Sequence, residues 1–88
     1  MHIFAVNESF IIKEIKGESV LLNAESGDYF GLNSVGTDFI KLVDGKASID
    51  QIIAVMSKVY DVKENILKSD INELIEILVE KTILLTVE

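Results

Sequence analysis

The chain has 88 residues, enough for one hydrophobic core and too few for two independent domains, so residues 1–88 are expected to form one unit. Hydrophobic residues make up 49% and charged residues 26%, a globular rather than a disordered composition. The absence of Cys excludes a disulfide framework, a thiolate nucleophile and a thiolate metal site, and a net charge of −7 argues against nucleic acid, which is bound by neutralising its phosphates with Lys and Arg.

The apolar runs are too short to span a membrane, and the N-terminus lacks the basic region and long apolar core of a signal peptide. A soluble, cytoplasmic protein with no membrane partner is expected, in keeping with a cysteine-free chain.

From the N-terminus, Ile3 to Val6 and Phe10 to Ile15 are rich in β-formers. A strand is predicted across Phe10–Ile15, with Phe10 and Ile12 on one face and Ile11 and Ile15 on the other. Lys16-Gly17-Glu18 reads as a turn, and a second strand follows at Ser19–Asn23. Its Val20, Leu21 and Leu22 cannot share one side, so both faces need cover or a partner. Asn23 to Asp28 reads as a hairpin loop with Gly27 free to take a positive φ. The third strand is Tyr29–Leu32, with Phe30 and Leu32 on one face and Tyr29 and Gly31 on the other. A Gly inside a strand often marks close approach of another backbone.

Helix patterns then take over. The first helix is predicted from Ser34 to Val43, capped by Asn33 or Ser34, with Val35, Phe39, Ile40 and Val43 inward and Asp44-Gly45 as its stop. Ser48 and Gln51 form a capping box that opens the second helix, whose stripe is Ile49, Ile52, Ile53, Met56 and Val59, closed by Tyr60. Asp61 to Glu64 is read as a second cap of the same kind, opening a third helix near Val62 or Lys63 that continues to about Lys81. On that helix Leu67, Ile71, Leu74 and Leu78 fall within roughly a 60° arc. Ile75 and Val79 on one flank, with Ile66 and Ile77 on the other, make the stripe wider than one packing partner needs. Ile83–Val87 is expected to be a β-like tail against the first strand.

Catalytic and metal-binding patterns are missing. The sole histidine, His2, has no second His or Cys to work with, and the five glycines are dispersed rather than gathered into a phosphate loop. Asp44-Gly45 lacks the oxygen series of a calcium loop. Asp70 and Glu73 sit one helical turn apart and read as a solvated face rather than an acid–base pair. Ser34 and Ser48 are cap serines without the Asp-Ser-Leu context of an acyl carrier. No enzyme, cofactor or metal is expected.

Several segments, in order, carry a resemblance: Val20-Leu21-Leu22, Gly27-Asp28-Tyr29-Phe30-Gly31-Leu32-Asn33, Val35-Gly36, Leu42-Val43-Asp44-Gly45, the Ile49–Tyr60 helix, Asp70-Ile71 and Ile83-Leu84. From Val6 to Val87 the chain resembles the PqqD-like family, the peptide-recognition domains of ribosomal peptide natural-product pathways. The resemblance implies an α+β winged helix-turn-helix, a three-stranded antiparallel sheet followed by three helices. It also implies a leader segment of a precursor peptide added as a strand on the edge of the third strand, with side chains packing toward the third helix. On that basis the peptide-binding residues are Asp28, Tyr29, Phe30, Gly31 and Leu32, for backbone pairing and the adjoining surface, with Lys68, Ile71 and Ile75 as the groove wall.

The members from pyrroloquinoline quinone biosynthesis carry a Leu-Leu-Tyr-Pro-Glu run and a Cys before the Asp-Gly. This chain has Leu22-Asn23-Ala24-Glu25 and Val43 instead. Its Gly27-to-Gly36 stretch is more similar to free-standing members from lasso-peptide clusters, which implies a leader peptidase and a cyclase as downstream partners. The alternatives are a PqqD-type chaperone for a radical SAM enzyme, a winged-helix DNA-binding regulator, and a dimerisation module using the same strand edge.

Overall fold

Lys16 and Gly17, both at positive φ (52° and 83°), close a two-residue turn of the kind that matches strand twist, joining β2 (Phe10–Ile15) to β3 (Glu18–Asn23). The computed structural model describes residues 2–87. A second hairpin leads from β3 to β4 (Tyr29–Leu32). Its loop is held by the Asn23 side chain, which accepts the backbone N–H groups of Glu25 and Ser26 at 2.9 and 3.1 Å, and Gly27 takes a φ of 81°. The sheet order is β2-β3-β4, antiparallel throughout.

A separate two-stranded ribbon joins the chain ends. β1 (Phe4–Val6) pairs with β5 (Leu84–Thr86), so the expected C-terminal β tail packs on the Ile3–Val6 part of the first segment rather than on β2. The N-terminal segment also reaches the start of α2 (Ile49–Tyr60), where the Ile49 N–H donates to the His2 carbonyl at 3.0 Å.

The first two helices start where their cap residues predict. α1 (Ser34–Leu42) is opened by Asn33, whose side chain accepts from the Gly36 N–H at 2.9 Å. α2 is opened by Ser48 in a complete capping box with Gln51. Between them Asp44 accepts from the N–H groups of Ala47 and Lys46, which hold its carboxyl below the usual range.

α3 (Glu64–Glu80) departs from expectation. Its N-cap is Lys63, with no side-chain cap bond, because Asp61 is already used in the left-handed conformation (φ 52°, ψ 46°) that ends α2. Val59 also departs from the predicted stripe. It lies at the rim of the arc and is exposed, while Tyr60 at the centre of the arc turns inward.

α1 packs on β3 and β4, and α2 and α3 pack on α1 and on each other, enclosing a core around Leu21, Leu32, Phe39, Met56, Ile71 and Leu78. The Ser19 and Thr37 hydroxyls, both buried, hydrogen-bond at 2.8 Å and fix α1 across β3. Tyr60 donates its hydroxyl to the Asp38 carboxylate, tying α2 to α1, and that bond together with burial raises the Tyr60 pKa.

A tyrosine whose pKa rises on folding contributes stability that is full below its unfolded value, about 10, and is lost as pH climbs through the raised value. Tyr60→Phe should therefore lower the denaturation midpoint at neutral pH and flatten the alkaline fall above about pH 10. Denaturant melts of both forms across that range check this; an unchanged alkaline slope would remove Tyr60 as its source.

Candidate functional site

The register of the sheet decides which backbone groups are free. The Asn23 N–H donates to the Asp28 carbonyl at 2.7 Å, continuing the register in which Leu22 faces Tyr29, Leu21 faces Phe30 and Val20 faces Gly31. Hydrogen-bonded and non-hydrogen-bonded pairs alternate along an antiparallel ladder. Phe30 and Leu32 therefore spend their N–H and C=O groups on β3. The N–H and C=O of Tyr29 and Gly31 point the other way, off the open edge of the sheet.

That edge borders a groove whose other wall is α3. At one end Phe10, Asn23, Tyr29, Phe30, Lys81 and Ile83 surround a hollow of about 350 Å³, and the Lys81 ammonium stands 5.5 Å from the centre of the Phe30 ring. At the other end Asn33, Val35 and Gly36 face Asp70, Glu73 and Leu74 around a hollow of about 310 Å³. α3 thus runs antiparallel alongside β4, yet packs on α2, α1 and β5 rather than on β4 itself. Asp28 to Asn33 spans roughly 16 Å of strand and Asp70 to Lys81 roughly 16 Å of helix, so the two walls match in length.

Gly36 lets the walls approach at the Asn33 end. A Cβ there would lie 3.1 Å from Leu32 Cδ2 and 3.4 Å from Leu74 Cδ2. The rim is mostly acidic, with Asp28, Asp70 and Glu73 against Lys81.

The eight residues expected at the site divide into three sets. Asp28, Tyr29 and Gly31 are exposed along the β4 edge, and Phe30, half-buried, forms the floor under Lys81. Leu32 and Ile71 belong to the core, at 5% and 1% exposure, and Ile71 also borders the hollow at the Asn33 end, as expected of the groove wall. Lys68 and Ile75 are not brought to the β4 groove. They line a different hollow of about 480 Å³ with His2, Phe4, Ile49 and Asp50, where Lys68 pairs with Asp50 at 3.6 Å.

Helix geometry explains the division. At about 100° per residue, Asp70, Ile77 and Lys81 fall on one side of the buried Leu67–Ile71–Leu78 line, while Lys68 and Ile75 fall on the other, roughly 150° away. Of the α3-side residues lining the two hollows, the sequence reading names Ile71 as groove wall and misses Asp70, Glu73, Leu74 and Lys81. Ile77, on the same side of the helix, stands in the sequence only as one flank of the wide stripe.

Among the described residues no cluster of His, Asp or Glu is placed to hold a metal, and no helix is long and apolar enough to cross a membrane.

A three-stranded antiparallel sheet with β4 at an open edge, followed by three helices, is an α+β winged-helix arrangement. The family model described as coenzyme PQQ synthesis protein D (PqqD) matches residues 18–84, and the chain belongs to that family. Among solved structures, TbiB1 in complex with the TbiA(beta) leader peptide is 25% identical with a TM-score of 0.81, covering 91% of this chain and 93% of that one. Lasso peptide synthetase B1 complexed with the leader peptide is 22% identical with a TM-score of 0.81, covering 93% of this chain and 96% of that one, and shows the same fold. The fold recurs as a small part of the heterocyclase TruD, where 98% of this chain matches 12% of that one at 17% identity and a TM-score of 0.67. No curated protein matches the sequence.

Proposed function

We propose that this chain, as one domain over residues 1–88, is a non-catalytic, cytoplasmic binder of a precursor's leader peptide that presents the precursor to a separate processing enzyme. The observation that carries the reading is the pair Tyr29 and Gly31, whose backbone groups point off an open edge into a groove of strand length. The leader adds there as a further strand, taking two N–H and two C=O groups, while alternate side chains enter the hollows against α3. The likeness to TbiB1, whose structure holds the TbiA(beta) leader peptide, supports leader binding, and the similarity of the Gly27-to-Gly36 stretch to lasso-cluster members favours a leader peptidase as partner over a radical SAM enzyme.

Magnitudes require more than the backbone ladder. Ordering a disordered leader costs roughly 2–5 kcal/mol, so micromolar affinity, about −8 kcal/mol, needs apolar anchors as well. Phe30 and Leu74 line the two hollows, and Ile77, exposed on the same side of α3 between them, adds a third anchor, in place of the expected Lys68 and Ile75. The acidic rim at Asp28, Asp70 and Glu73 suits a basic leader and repels a phosphate backbone, which disfavours the DNA-binding alternative.

The test is calorimetric titration with the leader of the precursor encoded beside this chain's gene. Binding at micromolar concentrations or below is expected. Ile77→Ala and Lys81→Ala should each weaken it about fivefold, whereas Lys68→Ala and Ile75→Ala leave it within about twofold. No binding at about 100 µM would remove the proposal.

A further inference from the structure

The sheet has a second apolar face that nothing in the described chain covers. The register places Val20 and Leu22 of β3 beside Gly31 and Tyr29 of β4 on the side away from the helices, with Ile15 of β2 on the same side. Ile15 is 71% exposed, Val20 41% and Tyr29 77%. The Val20–Gly31 pair forms the floor of a hollow of about 550 Å³ walled by Lys13, Ile15, Glu18 and Asn33.

Gly31 keeps that hollow open, and the fold does not require a glycine there. Its φ lies outside the left-handed region, and a Cβ built on it meets no atom within 4 Å. A side chain would fit without strain and would stand where the hollow now is.

We propose that this hollow is a second side-chain subsite, taking one large apolar, preferably aromatic, residue of the peptide strand added to β4. This rests on the strand-addition reading of the same edge. An added strand alternates its side chains between the two faces of the sheet. Those not aimed at α3 emerge on the outer face, and one of them lies beside Gly31. With no Cβ between them it leans across Gly31 onto Val20, beside Ile15, as aromatic side chains do over glycines in neighbouring strands. The domain then reads its peptide on both faces: at α3 through Phe30, Leu74 and Ile77, and on the outer face through Val20, Gly31 and Ile15.

A double-mutant cycle tests the subsite. The same leader is titrated against the wild-type chain and Gly31→Val, with each large apolar leader residue replaced by Ala in turn. Gly31→Val is expected to melt at or above the wild-type temperature and to bind the leader about tenfold more weakly. One leader position should cost about tenfold in the wild-type chain and less than twofold in Gly31→Val. Val20→Ser, which removes the apolar floor without filling the hollow, should couple to the same leader position and serves if the first variant fails to fold. Unchanged or tighter binding by Gly31→Val, or coupling to no leader position in either variant, overturns the subsite while wild-type binding leaves strand addition standing. Absence of wild-type binding removes both.

Discussion

Gly31→Pro is expected to abolish leader binding, a loss of at least about a hundredfold, while lowering the denaturation midpoint only slightly. The Gly31 N–H points off the open edge, so proline removes no bond of the β3–β4 ladder. The preceding residue, Phe30, is already extended, as a residue before proline prefers. What proline takes away is one of the two outward donors, and its ring projects into the space an incoming strand would occupy. Leader titration and a denaturant melt on the same sample check the split. Retained binding would exclude this edge, and an equal loss of fold would place the Gly31 N–H inside the sheet rather than outside it.

Ile71→Ala is expected to cost stability and leave the site intact. Ile71 is 1% exposed and stands in the core between α3 and its neighbours. Truncating a buried Ile to Ala removes its transfer energy and leaves a cavity, about 2–5 kcal/mol together. That is a large share of what a chain of this size has to spare. Leader affinity measured well below the melting temperature should stay within about twofold. A variant that melts normally but binds poorly would make Ile71 a leader contact in the hollow it borders rather than a core residue.

These outcomes mark what the sequence makes legible and what it hides. The caps at Asn33 and Ser48 depend on residues three positions apart, so their sequence signals suffice. Asp61 carries the same signal but takes the left-handed conformation that ends α2, a choice the local pattern does not encode. The over-wide stripe of α3 was visible, and so were the two apolar faces of β3. Which flank of α3 meets β4 depends on the path of the chain between them, and the expectation placed Lys68 and Ile75 there instead of Ile77 and Lys81. The pairing of β1 with β5 joins residues far apart in the sequence; the tail's β character and its packing near the first strand are legible, but not that its partner is Phe4–Val6 rather than Phe10–Ile15. The outward direction of the Tyr29 and Gly31 backbone groups required the register, because a shift of one residue would expose Phe30 and Leu32 in their place.

Strand addition at β4 depends on those two residues, and amide hydrogen exchange on the isotope-labelled full chain tests it directly. Without leader, the Tyr29 and Gly31 amides should exchange rapidly, while those of Phe30 and Leu32, bonded to β3, are protected. Saturating leader should protect Tyr29 and Gly31 and leave Phe30 and Leu32 nearly unchanged. A leader that binds without protecting Tyr29 or Gly31 would contradict strand addition on this edge.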